Sequence, residues 1–246
     1  MEIKGILFDK DGTLIDFYEV WGTAAEPVME RILKKYSLSE KNQMKEKLLE
    51  ALGVHGSIID PEGILAWKSY EMIAKDLAKV LEQDNVSVSC DKLKEQLADE
   101  FFEEVCMKRQ EYPVFTDMKN LMERLHQMGI QIGLATADEY ESTKVCMKKI
   151  GISQWISFYG TAGSGYPEKP DGDLVVIAAK EWGIKPEEIA VIGDTPNDMR
   201  FARNGNAVGI GVLSGTGKKE DLVPLADYVI HSIDELLKLL EEIWQR

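Results

Sequence analysis

Ile3-Lys4-Gly5-Ile6-Leu7-Phe8-Asp9-Lys10-Asp11-Gly12-Thr13 is the stretch from which the fold can be read. Its first six residues are mostly apolar and partly β-branched, which reads as a buried strand of a parallel sheet. Asp9 and Asp11 then emerge at the carboxyl end of that strand, where open α/β sheets place their ligands. Gly12 allows a sharp turn, and the Thr13 hydroxyl can tie the turn down. A strand followed by a solvated acidic turn would look similar, so the rest of the chain has to corroborate the reading. As chemistry, the stretch suits metal-assisted phosphoryl transfer, with one Asp as nucleophile and the other as proton carrier.

Beyond this stretch, helical signals run for nearly a hundred residues. Thr23-Ala24-Ala25-Glu26 has capping-box spacing, with Pro27 in the first turn, and predicts a helix to about Tyr36. Further helices are expected over 40–52, closed by Gly53, over 64–82 and over 91–105. No strand is expected among them, so they read as a small all-α bundle. From Tyr112 onward helix and strand alternate. Strands are expected at 130–135, 156–159, 189–192, 207–210 and 228–230. Helices are expected over 116–129, capped by Thr116, over 139–150 and over 171–182, with a last one behind Ser232-Ile233-Asp234-Glu235. Repeated βα units of this length mean an α/β fold with a Rossmann-like, doubly wound parallel sheet.

Spacing locates the domain boundary. Asp9 and Thr136 both end neighbouring strands in this reading, yet they lie 127 residues apart, whereas a βαβ crossover needs only about 30 residues. Setting aside the 96 residues of 17–112 leaves 31. The expected organisation is therefore a catalytic core of residues 1–16 and 113–246, with an all-α cap, 17–112, inserted after the first loop and lying over the site.

The outer limits come from composition. A chain of 246 residues can hold one large or two smaller domains, and its formal charge of −14 argues against a general nucleic-acid binder. No apolar run approaches the roughly 18–20 residues that would span a bilayer, and no signal-peptide pattern opens the chain. Cys90, Cys106 and Cys146 are odd in number and lack metal-like spacing, so reduced thiols and a cytoplasmic setting are expected.

The later strand ends carry the remaining chemistry. Leu134-Ala135-Thr136-Ala137-Asp138 puts a hydroxyl at the end of one strand, in a pattern that also suits a plain helix cap. Glu168-Lys169-Pro170-Asp171 sets a lysine just before a helix, where the dipole favours anions; a lysine and a helix N-terminus together would grip a phosphate. Ile192-Gly193-Asp194-Thr195-Pro196-Asn197-Asp198 follows another strand with two acids spaced by four, although Asp194 or Thr195 could also be a helix cap. Four strand-end matches, in order and at workable spacing, make coincidence a poor explanation.

With these motifs in place, the chain resembles the haloacid dehalogenase superfamily of hydrolases, and most closely its phosphoglycolate phosphatase-like members with an inserted helical cap. Phe8 through Leu14 is similar to the first family motif, Thr136 stands at the second, Lys169-Pro170 at the third, and Gly193-Asp194 through Asp198 at the fourth. The resemblance implies that Asp9 attacks phosphorus and carries an aspartyl-phosphate, while Asp11 protonates the leaving group and later deprotonates water. It implies Mg2+ held by Asp9, by the backbone carbonyl of Asp11 and by Asp194. Asp198 would orient Lys169 or a water held by the cation, and Thr136, Ala137 and Lys169 would bind the phosphate. Lys10 would contribute only its backbone N–H. The implied substrate is a small phosphorylated metabolite; nothing points to nucleic acid or membrane, and monomer and dimer are both open.

A β-phosphoglucomutase-type phosphomutase keeps both acids and stays as an alternative. A receiver-like signalling module phosphorylated on Asp is another, although its acceptor ends an internal strand. In the expected cap, 53–63 includes His55, Gly56 and Ser57 as a candidate substrate-specificity loop, or else a plain surface turn. His55, His126 and His231 are scattered with no ligand spacing and read as structural or solvated rather than catalytic. Ser214-Gly215-Thr216-Gly217-Lys218-Lys219 looks like a phosphate loop but fails the Walker spacing, and is expected to be a flexible loop near the rim of the site.

Overall fold

Four apolar residues in a row, each buried, need cover on both faces, and the opening segment finds it as β1 (Gly5–Phe8). The computed structural model describes residues 2–38, 42–56, 58–60, 63–67 and 69–245. The chain divides into two compact units, Met1–Asp16 with Glu111–Arg246, and Phe17–Gln110.

The unit Phe17–Gln110 is mostly helical. A π-helical turn, Tyr18–Gly22, runs directly into α1 (Thr23–Lys35), so Thr23 is not the expected N-cap. Its hydroxyl instead donates back to the Glu19 carbonyl at 2.7 Å inside the helix. Burial of Val20 and Trp21 draws the helix back past the capping signal, packing overriding a local preference. α2 (Asn42–Leu52) stops at Gly53, whose φ of +82° needs a glycine. The expected start of that helix near Glu40 lies outside the described residues. β2 (Val54–His55) and β3 (Ile58–Ile59) then form a small antiparallel hairpin, which corrects the all-α expectation. Strands of two residues are too short to show alternation in sequence.

The single helix expected over 64–82 is two, α3 (Ile64–Trp67) and α4 (Tyr70–Gln83), parted at Ser69, whose ψ of 159° is extended. α5 (Cys90–Phe101) is capped by Ser89 and continues as a π-helix to Lys108. The apolar stripes of α4 and α5 supply the core here, with Ile73, Leu77, Leu81, Leu93, Leu97 and Phe101 buried.

In the other unit, α6 (Met118–Gln127) begins the alternation. Its cap is Asp117, whose carboxylate accepts from the Asn120 N–H at 3.1 Å, rather than Thr116. An ionised carboxylate caps as well as a hydroxyl and also meets the helix dipole. β4 (Gln131–Glu139), α7 (Tyr140–Lys149), β5 (Ile156–Ala162), α8 (Asp173–Trp182) and β6 (Ile189–Gly193) follow in order. α9 (Pro196–Asn204), not anticipated as a helix, starts from the acidic loop after β6. β7 (Val208–Val212), α10 (Lys219–Leu222), β8 (Tyr228–Ile230) and α11 (Leu236–Trp244) complete the chain. Ser232 makes no capping bond to the last helix; Glu235 instead accepts from the His231 N–H at 3.1 Å.

The six strands are all parallel, in the order β5-β4-β1-β6-β7-β8. Phe8 sits level with Leu134 of β4 on one side and Ile192 of β6 on the other. β1 is therefore the switch point of the sheet, which opens a crevice at its carboxyl end. Under one face, Leu7, Phe158, Val175, Ala178, Val191 and Phe201 join a single core cluster. Gly5 and Gly133 admit the Trp182 ring, since a Cβ on either would come within 2.7 or 2.9 Å of it. No helix among the described residues is long and apolar enough to cross a membrane.

Candidate active site

Asp9 follows β1 directly, and its N–H donates to the Ile192 carbonyl at 2.7 Å, extending the ladder to β6 by one residue. The turn behind it closes through the backbone: Gly12 N–H donates to the Ile15 carbonyl at 2.7 Å, and Leu14 N–H to the Lys10 carbonyl at 2.9 Å. Gly12, at φ +83°, lies so close to Asp194 that a Cβ there would sit 2.6 Å from Oδ2. Thr13 does not tie the turn; its hydroxyl is buried with no hydrogen-bond partner among the described residues.

The Lys169 ammonium lies 2.6 Å from Asp9 Oδ1 and 2.6 Å from Asp198 Oδ1. It reaches the crevice from the connection between β5 and α8. Asp198, 1% exposed, is the third residue of α9 and is held by a capping box. Its Oδ2 accepts from the Thr195 N–H at 3.0 Å and from the Thr195 hydroxyl at 2.5 Å. The cap that starts α9 therefore also aims the acid that steadies Lys169. Thr195, one of the two cap candidates in this loop, is the residue from which α9 grows.

Asp194 directly follows β6 and is 2% exposed. Its Oδ2 accepts from the Thr216 N–H at 2.7 Å and the Thr216 hydroxyl at 3.2 Å. The Ser214 hydroxyl, in turn, donates to the Gly12 carbonyl at 2.8 Å. The segment 214–217 is thus a clamp on Asp194 and the first loop, not the loose loop expected. Its glycines make it possible: a Cβ on Gly215 would meet Asp194 Oδ2 at 2.0 Å, and one on Gly217 the Asp194 carbonyl oxygen at 1.9 Å. Gly217→Ala should cost about 1–3 kcal/mol by forcing the loop outward. A melting temperature within a degree of the parent's would refute the clamp.

Thr136 is buried near the end of β4, where the pairing with β5 is irregular between Ala135 and Glu139. Its Oγ1 accepts from the Asp138 N–H at 3.2 Å, and Ala137 lies half-buried between them. Lys10 corrects the expectation of a backbone-only role. Its side chain is wholly buried, with Nζ 2.7 Å from Asp11 Oδ2 and 3.0 Å from Asp138 Oδ2. His55 and Gly56 belong to the other unit, and Ser57 lies outside the described residues.

The electrostatics of the crevice are those of too many acids for one lysine. Burial, with Asp198 and Asp194 adding to it, pushes Asp9 well above the ordinary carboxylate range despite Lys169. Burial and then Asp198 lift Asp194 to about 7 against the opposing Thr216 bonds. Burial pulls the Lys169 ammonium down, but Asp198 and Asp9 outweigh it, so it stays charged. A divalent cation would relieve this crowding. No three His, Cys, Asp or Glu side chains among the described residues converge as a full ligand set. A cation here would take two carboxylates and complete its shell with backbone and non-protein oxygens, a donor set that suits magnesium.

Comparison with known proteins gives the family and the fold. The model of the haloacid dehalogenase-like hydrolases matches residues 3–206. A phosphoglycolate phosphatase of Shigella boydii serotype 4 is 23% identical over 243 residues, covering 97% of this chain and 93% of that protein. Among solved structures, a predicted phosphoglycolate phosphatase from Haemophilus somnus aligns with a TM-score of 0.71 at 17% identity, over 97% of this chain and 98% of that one. A β-phosphoglucomutase from Clostridium difficile aligns at 0.65 and 18% identity, over 99% and 100%. At these identities the solved structures speak for the fold alone.

Proposed function

We propose that this chain, which belongs to the haloacid dehalogenase-like hydrolase family, is a magnesium-dependent phosphatase that hydrolyses a small phosphorylated metabolite through an aspartyl-phosphate on Asp9. The observation that carries the reading is Lys169, 2.6 Å from both Asp9 and Asp198 at the end of the central strand, with Asp194 buried just past the end of the adjacent strand.

In this reading an Asp9 oxygen attacks phosphorus in line, and the ester P–O bond breaks with its electron pair passing to the leaving oxygen. Asp11 gives that oxygen its proton. Water then attacks the phosphoenzyme, Asp11 takes the water's proton, and the Asp9–phosphorus bond breaks to release inorganic phosphate. The Thr136 hydroxyl, the Ala137 N–H and Lys169 hold the phosphoryl oxygens as charge shifts among them. Asp198 acts through Lys169, keeping the ammonium aimed at Asp9. Magnesium, held by Asp9, Asp194 and the Asp11 backbone carbonyl, would neutralise the carboxylates and phosphate that otherwise repel one another.

Because the relatives are named phosphoglycolate phosphatase, 2-phosphoglycolate is the first ester to try within a broad panel. Inorganic phosphate should appear with at least one small ester, and only when magnesium is present. Isomerisation of a sugar phosphate without net phosphate release would support the phosphomutase alternative instead. No turnover of any ester would overturn both.

The substrate-selecting role expected of the 53–63 segment is part of the same reading. His55→Ala should shift relative kcat/KM among metabolite esters by about tenfold. Hydrolysis of p-nitrophenyl phosphate should change by less than about twofold. An equal loss on every ester would count against a selecting role.

A further inference from the structure

We infer that the buried pair Lys10–Asp138 is a positioning device for Asp11, holding the carboxyl that carries the proton. The inference rests on the acid–base role of Asp11 proposed above.

The residues around Lys10 set the problem. Leu7, Phe8, Thr13 and Leu14 are all fully buried, and so is Lys10. An apolar side chain would fill that space without penalty, whereas an ammonium out of water is tolerated only when carboxylates meet it. It meets two, at 2.7 Å and 3.0 Å: the Asp138 side chain is 4% exposed, and that of Asp11, open on its other side, 19%. In such a site the geometry is mutual. Wherever the ammonium is held, both acids are held.

Asp138 supplies the fixed end. Its Oδ1 accepts from the Glu139 N–H at 2.8 Å, at the start of α7. Its own N–H is bonded to Thr136 Oγ1 at 3.2 Å. Its Oδ2 faces Lys10. A continuous chain therefore runs from Thr136 at the end of β4, through Asp138 and Lys10, to Asp11 Oδ2. It ties the proton carrier, in the turn after β1, to the hydroxyl on β4 proposed to hold the phosphoryl group. Asp11 follows the strand and precedes Gly12, where the backbone turns, so the turn by itself does not choose its side-chain rotamer. Misplacing a reacting group by about 1 Å can cost on the order of 100-fold in rate, which is the scale of what such an anchor protects.

The readout that separates positioning from general structural damage is the leaving group. Nitrophenolate departs without a proton; phenolate benefits from one; an alkoxide requires one. kcat/KM should be measured for p-nitrophenyl, phenyl and ethyl phosphate with magnesium present, for the parent, Lys10→Met and Asp138→Asn. Lys10→Met should lower kcat/KM on ethyl phosphate by about 30- to 100-fold and on p-nitrophenyl phosphate by less than about threefold, with phenyl phosphate between. It should show a burst of one nitrophenolate per enzyme, followed by slowed turnover, because Asp11 also serves the water step. Asp138→Asn, which keeps shape and an acceptor oxygen, should move in the same direction by less, and decides the question if Lys10→Met does not fold. A uniform loss across the three esters, or no loss, overturns the inference. Asp11→Asn is the control for the underlying reading. If it too loses equally on all esters, the acid assignment fails; if it alone is leaving-group dependent, only the Lys10–Asp138 inference fails.

Discussion

Asp9→Asn should abolish turnover, lowering kcat by about 10,000-fold or more on every phosphate ester. A carboxamide oxygen is too weak a nucleophile to displace an alkoxide or phenolate from phosphorus, so the covalent route closes. The substitution should leave the fold intact. An Asn oxygen can still accept from Lys169, which lies 2.6 Å from Asp9 Oδ1, and a buried carboxylate held well above its normal pKa is removed. The checks are steady-state kinetics and intact-protein mass after mixing with substrate. A parent that gains the mass of one phosphoryl group, and a variant that does not, is the expected pair of results. Ordinary kinetics in the variant would remove Asp9 from the chemistry.

Asp194→Asn should raise the magnesium concentration needed for half-maximal activity. Groups that merely support a ligand typically cost about 10- to 100-fold in metal affinity when lost, so a direct ligand should cost at least that. A readout independent of activity follows from the same carboxyl. Burial and Asp198 lift it from 3.8 to about 7 in the folded chain. The folded state then binds a proton that the unfolded state has already released, so without the cation this group makes stability fall as pH rises between those values. At pH 8 and without magnesium, Asp194→Asn should therefore melt higher than the parent. Saturating magnesium should narrow or reverse the difference, because only the parent keeps the full ligand set. A variant that melts lower than the parent in the absence of magnesium, yet keeps the parent's magnesium requirement, would show that Asp194 serves the clamp and not the cation.

What was legible in sequence differs sharply between kinds of contact. The strands at 5–8, 189–193 and 228–230 could be read because apolar, β-branched runs bounded by turns have few other uses. Reading the first strand and the one ending near Thr136 as neighbours was the premise from which spacing located the insertion, and β1 does pair with β4. Capping was less secure. Thr23, Thr116 and Ser232 each carry a plausible local signal, but Thr23 lost to buried apolar residues upstream, Thr116 to a stronger acid one position on, and the motif's own Glu235 bonds the His231 N–H while Ser232 makes no cap bond. A local hydrogen bond contributes about 1 kcal/mol, which packing readily outweighs.

The chain's own order of apolar runs, turns and strand-end acids was enough to determine a doubly wound parallel sheet and to bring Asp9, Thr136, Lys169 and Asp194 to one end of it. Strand alternation and chain direction are short-range properties, and the crossover geometry of parallel sheets leaves few other arrangements. Only the tertiary structure decided that Lys10 turns inward to two carboxylates, that Thr195 and Asp198 fold into a cap that steadies Lys169, and that Thr216 grips Asp194. Lys10 reaches Asp138 across most of the chain's first half as well as its neighbour Asp11, Thr216 reaches Asp194 across 22 positions, and Asp198 reaches Lys169 across 29. A buried charge settles its partner by where the low-dielectric interior closes around it, and that volume does not exist until the strands have packed.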